Sequence, residues 1–282
     1  MVTSTSSGLS VPDWPTTYGY SMFSFPLHNM VGGILYEHGH RLIASTVGFV
    51  TIGLVVLLWR VEPRRWVRRL GLIALGAVIV QGVLGGLTVL YFLPAPISIG
   101  HAGLAQAFLA LTVSLALFTS HGWLVPAQAP VDDQRLRRMA TTLTATIYVQ
   151  ILLGATMRHL GAGLAIPDFP LVFGSLLPPT WTLPIALHFG HRLMALAITV
   201  LVIAVITEIW RSHGDRPELV RLSWLLVLTI VGQVTLGALV VLSGLQPVIN
   251  TLHVAVGGIL LVTSLVLTLR ACRVRFRLRT AS

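Results

Sequence analysis

A chain of 282 residues in which 55% are hydrophobic and only 10% charged, with a mean hydropathy of +0.84, is not a soluble globular protein. The net charge of +10 would suit nucleic acid, but the arginines collect in alternate connections between apolar runs, which is the distribution of a membrane protein. A lone cysteine, Cys272, excludes an intramolecular disulfide and leaves a thiolate metal site without a second ligand.

In chain order, the first recognisable element is an outer phrase, Gly-Leu-Ser-Val-Pro-Asp-Trp-Pro-Thr-Thr-Tyr-Gly, from Gly8 to Gly19. Apolar runs long enough to span a bilayer as helices follow at 37–59, 70–92, 98–120, 139–158, 184–209, 220–243 and 249–270. None alternates as a barrel strand would, so the fold class is an all-α integral membrane protein with seven predicted spans. Between the runs, arginines gather at Arg60, Arg64, Arg65, Arg68 and Arg69, at Arg135, Arg137 and Arg138, at Arg211, Arg216 and Arg221, and from Arg270 through Arg273, Arg275, Arg277 and Arg279. The positive-inside rule puts these segments and the C-terminus on the cytoplasmic or matrix side, against anionic lipid, and the stretch ahead of the first span outside.

The outer phrase returns as Gly-Leu-Ala-Ile-Pro-Asp-Phe-Pro-Leu-Val-Phe-Gly from Gly163 to Gly174, displaced by 155 residues. Gly39-His40-Arg41 returns as Gly190-His191-Arg192 after 151, and Gln81, Gly85 and His101 return as Gln233, Gly237 and His253 after 152. Agreement of this length marks an internal duplication. It divides the chain into an N-terminal half, 1–125, and a C-terminal half, 126–282. The second phrase is preceded by a span ending in Gln150 to Arg158, and the first by none, so the expected ancestral design is two halves of four helices with the first helix missing here.

His40, His101, His191 and His253 each fall in the first residues of a span that starts at the outer face, so they form one layer near that face. In each half the two histidine-bearing helices run the same way, and two neutral imidazoles opposed in a bundle core suit the axial positions of a heme iron. A single histidine near a helix end is more often an interfacial residue; matching repeat positions reverse those odds. His28, His121, His159 and His213 read as loop or interface residues. The aspartate-proline phrases read equally as loop structure and as a cover for a cofactor edge.

The halves differ where Glu37-His38-Gly39-His40-Arg41 faces His188-Phe189-Gly190-His191-Arg192. Glu37 shares a helix face with His40 and is the one acid at the outer end of a span, where a carboxylate is costly unless paired or functional. The division of labour expected from this asymmetry is a reactive first site and a second that holds a permanent cofactor.

These residues resemble the heme A synthase family. The likeness runs through the Pro-Asp-Trp-Pro loop, Glu37, His40, Arg41, Gln81, Gly85, His101 and the second-half set through His253. The resemblance implies an eight-helix bundle, an oxidoreductase that oxidises the C8 methyl of heme O to the formyl of heme A for cytochrome oxidase, and a bacterial plasma membrane or mitochondrial inner membrane location. It makes His191 and His253 the axial ligands of a resident heme b, His40 and His101 the substrate-heme site, and Glu37 the acidic catalytic residue. Some family members carry a cysteine pair in the first outer loop; this chain has none there. Arg41 and Arg192 either pair with heme propionates or snorkel to the interface. Implied partners are the bilayer, a heme O synthase, an electron acceptor and a further copy of the chain; nucleic acid is not one. A duplicated electron-carrying cytochrome b and a heme transporter or chaperone are the rival readings, and Glu37 in one half only favours the enzyme.

Overall fold

A computed structural model describes residues 2, 4–126 and 128–278; Met1 and Arg279 lie outside the described residues. Helices carry the chain: α1 (Gly32–Val61), α2 (Arg65–Leu90), α3 (Ala95–Thr119), the short α4 (His121–Leu124), α5 (Gln134–His159), α6 (Leu183–Ser212), α7 (Pro217–Leu242), α8 (Pro247–Ala271) and α9 (Arg273–Leu278). Seven of them, all but α4 and α9, are long and apolar enough to cross a membrane. The predicted all-α membrane fold with seven spans is therefore what the chain forms, and the protein is a multi-pass membrane protein.

The helix starts follow from local chemistry. Pro96, Pro184, Pro217 and Pro247 sit in the first turns of α3, α6, α7 and α8, where a missing N–H costs nothing. Asp133 caps α5 by accepting from the amides of Arg135 and Leu136 at 2.8 and 3.0 Å, and its other oxygen lies 2.8 Å from His213 Nε2. Burial alone would raise the Asp133 carboxyl; these bonds outweigh it and hold it below the usual range. At Glu62, just past α1, the bond from Arg64 is the chief cause of a lowered carboxyl. The predicted run 70–92 overshoots α2, because Phe92 and Leu93 take φ of +56° and +59° and turn the chain; apolarity alone conceals such a turn.

The chain divides into two compact units, one of Met1–Leu111 with Gln246–Thr251 and the other of Thr112–Leu245 with Leu252–Ser282. In the second unit, Leu136, Leu143 and Ile147 of α5 pack with Val202, Val205 and Ile209 of α6, Leu219 and Leu226 of α7, and Leu261 and Leu267 of α8. Thr144 and Thr268 meet at 2.9 Å beside that core, satisfying two hydroxyls in an apolar setting. In the first unit, α1 and α2 pack closely at Gly71, where an added Cβ would meet Leu58 Cδ1 at 2.8 Å. Isoleucines, leucines and valines such as Ile43, Val50, Ile203 and Leu228 stay exposed on the helices, as lipid-facing side chains do.

Candidate functional site

The repeated phrases fold into two equivalent hairpins. Thr17 and Tyr20 exchange both backbone bonds at 3.0 Å, and Val172 and Ser175 do so at 2.8 and 3.1 Å. The central residues have positive φ, +49° and +79° at Tyr18 and Gly19 and +52° and +74° at Phe173 and Gly174, which is a type I′ turn. The aspartate of each phrase accepts from the amides of these two residues. Asp13 takes Tyr18 and Gly19 at 2.8 and 3.0 Å, and Asp168 takes Phe173 and Gly174 at 2.9 and 2.8 Å. This is why the phrase joins an aspartate to a glycine six residues on. Trp14–Pro15 and Phe169–Pro170 are both cis.

These bonds set the carboxyl of each loop. At Asp13 burial, which raises it, is outweighed by bonds from Gly19, the Thr16 hydroxyl and Tyr18, leaving it at about 2 against an ordinary 3.8. At Asp168 the Gly174 and Phe173 amides, with Arg192 near by, likewise hold it low. A carboxyl whose folded value is depressed stabilises the fold above its unfolded value and stops doing so as pH falls through the folded one. Amide exchange at Tyr18 and Gly19, corrected for intrinsic rate, is therefore expected to rise as pH drops from 3.8 towards about 2 in the wild type. In Asp13→Asn the corrected rate should be flat with pH; a pH-dependent rise in that variant would show that another group titrates.

Each hairpin is clamped to the start of a helix by the arginine after the candidate ligand. Arg41 donates from Nη1 to the carbonyls of Asp13 and Thr16, both at 2.8 Å, and from Nη2 to that of Val11 at 3.0 Å and to Glu37 Oε1 at 2.7 Å. Arg192 donates to the carbonyls of Leu171, Ile166 and Asp168 at 2.9, 3.2 and 2.7 Å. Val11, Asp13 and Thr16 correspond to Ile166, Asp168 and Leu171 under the 155-residue displacement, so the two clamps are the same clamp. The terminal N–H groups of Arg41 are thereby taken up by loop carbonyls and Glu37, leaving Nε for any further acceptor.

Glu37 and His188 prove to be counterparts as well. Glu37 Oε2 accepts from the Val11 amide at 2.9 Å, and His188 Nδ1 accepts from the Ile166 amide at 3.3 Å. Both side chains are buried, at 3% exposure each. His38 Nδ1 lies 2.9 Å from the Thr17 hydroxyl, and its ring sits 4.9 Å from that of Phe25; in the second loop Phe189 meets Trp181 at 5.5 Å. Sequence comparison singled out Glu37 for being an acid but gave no role to His38 or His188. Their offset of three residues or fewer from the Gly-His-Arg triplets was the one available signal.

The candidate ligands fall two to a unit, His40 and His101 in one and His191 and His253 in the other. His101 lies within electrostatic reach of His40, and His191 of His253. Among the described residues no group of three or more His, Cys, Asp or Glu side chains could hold a bare metal ion, whereas a heme iron needs two axial ligands. The fit to heme rests on two observations. Nδ1 of His101, His191 and His253 is buried without a hydrogen-bond partner, and each of these rings lies against a glycine, with Cε1 3.2, 3.0 and 3.2 Å from a Cβ added at Gly85, Gly154 and Gly237. Imidazoles oriented by their neighbours and keeping a buried polar atom without a partner fit the role of metal ligands. His40 is exposed.

The geometry agrees with what similar proteins are. The family of the cytochrome oxidase assembly protein matches residues 1–266. A heme A synthase of Symbiobacterium thermophilum is 31% identical over 265 residues, covering 89% of this chain and 82% of its own length. Heme A synthases of Halalkalibacterium halodurans and Geobacillus thermodenitrificans are each 26% identical, covering 93% and 100% of this chain and 87% and 88% of their own lengths. A match across nearly the whole chain places this chain in the cytochrome oxidase assembly family of the heme A synthases.

Proposed function

We propose that the protein converts heme O to heme A by oxidising the C8 methyl to a formyl group, in a bacterial plasma membrane with its C-terminus on the cytoplasmic side. The observation that carries this reading is the pairing of imidazoles within each unit, combined with a carboxylate in one unit where the other has His188. His40 and His101 hold the substrate heme, and His191 and His253 hold a resident heme b. A methyl C–H bond has no acidity for a side chain to exploit; its conversion to a formyl group with the oxygen of water releases four electrons and four protons, which bound heme would relay to an external electron acceptor.

The chain's own residues then position and handle protons. Arg41 holds the Glu37 carboxylate in place through an ion pair of 2.7 Å. Two of its roughly four lone-pair sites are occupied by Val11 and Arg41, which leaves acceptor capacity for a proton released at the methyl carbon. His188 cannot do this while its Nδ1 accepts from Ile166, because its other ring nitrogen then carries the proton. The arginine clamps hold the hairpins against the histidine-bearing helices α1 and α6.

Pigment extraction tests the reading. The purified protein, expressed in a host that makes heme O, is expected to yield heme A or a hydroxylated heme O; a preparation with only unmodified heme would mark an electron carrier. Glu37→Gln is expected to keep the visible spectrum of the resident heme while heme A formation falls below detection. Normal heme A yield from that variant would remove the acid-base role.

A further inference from the structure

We propose that a glutamine and the glycine four residues after it, on the helix preceding a candidate ligand, form a seat that positions the imidazole: Gln81 and Gly85 for His101, Gln150 and Gly154 for His191, Gln233 and Gly237 for His253. The proposal rests on the reading that these imidazoles bind heme iron. It differs from the duplication of halves, because Gln150 and Gly154 belong to a third copy of the pattern, which joins helix to helix. The repeating element is a pair of consecutive spans: α2 with α3, α5 with α6, α7 with α8.

In each seat the glutamine amide meets the ligand residue, at its carbonyl, at its ring or at both. Gln81 Nε2 donates to the His101 carbonyl at 3.0 Å and lies 3.4 Å from its Nε2. Gln150 Nε2 donates to the His191 carbonyl at 2.8 Å, and Gln233 Nε2 lies 3.3 Å from His253 Nε2. A residue and the one four after it share a helix face, so each glutamine and its glycine address the same neighbour. Through the carbonyl, Gln81 and Gln150 set the height of the ligand helix, and in all three seats the glycine leaves a slot for the ring that a methyl group would enter at 3.0–3.2 Å.

One further detail points to a metal-bound ring. In all three seats the glutamine Oε1 and the histidine Nδ1 are both buried and unpaired. A buried ring nitrogen and a buried amide oxygen without partners at the same three places are groups that a bound ligand and a small turn of the side chains would satisfy. Leaving three such donor–acceptor sets unsatisfied would be costly in a core built only for packing.

Among the described residues the seats serve both ligands of the second unit but only His101 of the first, where His40 is exposed.

The experiment uses the purified full-length protein in detergent, checked for monodispersity, and reads heme per chain, the reduced-minus-oxidised spectrum and the midpoint potential. Gly154→Ala and Gly237→Ala are expected to lose resident heme or shift both its spectrum and its potential. Gly232→Ala, whose added Cβ has its nearest neighbour 3.8 Å away, should match the wild type. If a glycine variant fails to fold, Gln150→Leu and Gln233→Leu keep the helix and the volume, and are expected to weaken heme retention about 10–100-fold. Should the seat variants equal the wild type in all three readouts while His191→Ala and His253→Ala lose their heme, the seats are overturned and the ligand reading stands. Should the histidine variants also keep their heme, the ligand reading falls and takes the seats with it.

Discussion

Arg41→Ala is expected to destabilise the protein by about 3–5 kcal/mol, the cost of removing one partner from a buried ion pair. Arg41 is 8% exposed and Glu37 3%, so the carboxylate left behind has no route to water except by disrupting the hairpin, and three loop carbonyls lose their donor at the same time. Arg192→Ala supplies the comparison. It removes the same grip on three carbonyls but strands no acid, because His188 stands in the place of Glu37, and about 1.5–3 kcal/mol is expected for charge-assisted bonds of this kind. Unfolding in detergent, followed by denaturant titration, should therefore rank Arg41→Ala well below Arg192→Ala. The double variant Arg41→Ala with Glu37→Leu should recover part of the loss. Equal losses in the two single variants would mean that Glu37 is not held as a charge.

The second large effect is on heme content. His191→Ala and His253→Ala are each expected to remove the resident heme from the purified protein and abolish its bis-imidazole spectrum, with the chain still monodisperse. His40→Ala and His101→Ala should leave that spectrum in place and stop heme A formation. The separation follows from the pairing, since His191 and His253 belong to one unit and His40 and His101 to the other. Loss of all heme from His40→Ala would merge the two sites and defeat the assignment.

The seven spans were legible because a bilayer demands a long apolar run, and composition announces it. The duplicated loops were legible because the aspartate, the prolines and the turn glycine recur at fixed spacing, each required by the backbone. Other features were hidden for physical reasons. Arg41 and Arg192 grip carbonyls 24–30 residues away for the most part, and a main-chain acceptor leaves no mark in a sequence. The role shared by Glu37 and His188 was concealed because a carboxylate and an imidazole look unlike each other yet accept the same N–H bond. The third seat escaped because Gln150 stands 41 residues before His191, with an outer loop between, whereas Gln81 and Gln233 stand 20 before their histidines. A search for one fixed period passes over a motif whose connecting loop varies.

The arginine clamp has a consequence for how these loops can change over generations. A guanidinium that binds carbonyl oxygens is indifferent to which side chains the same residues carry. The clamped conformation requires Asp13 and Asp168, the flanking prolines and the turn glycines, while at the gripped carbonyls the clamp itself sets no side chain. Between the two loops Trp14 stands where the other has Phe169, and Thr16 where it has Leu171, with the same carbonyls held in both. A surface whose chemistry can drift while its shape is kept is one on which different recognition tasks can be built from a single inherited scaffold.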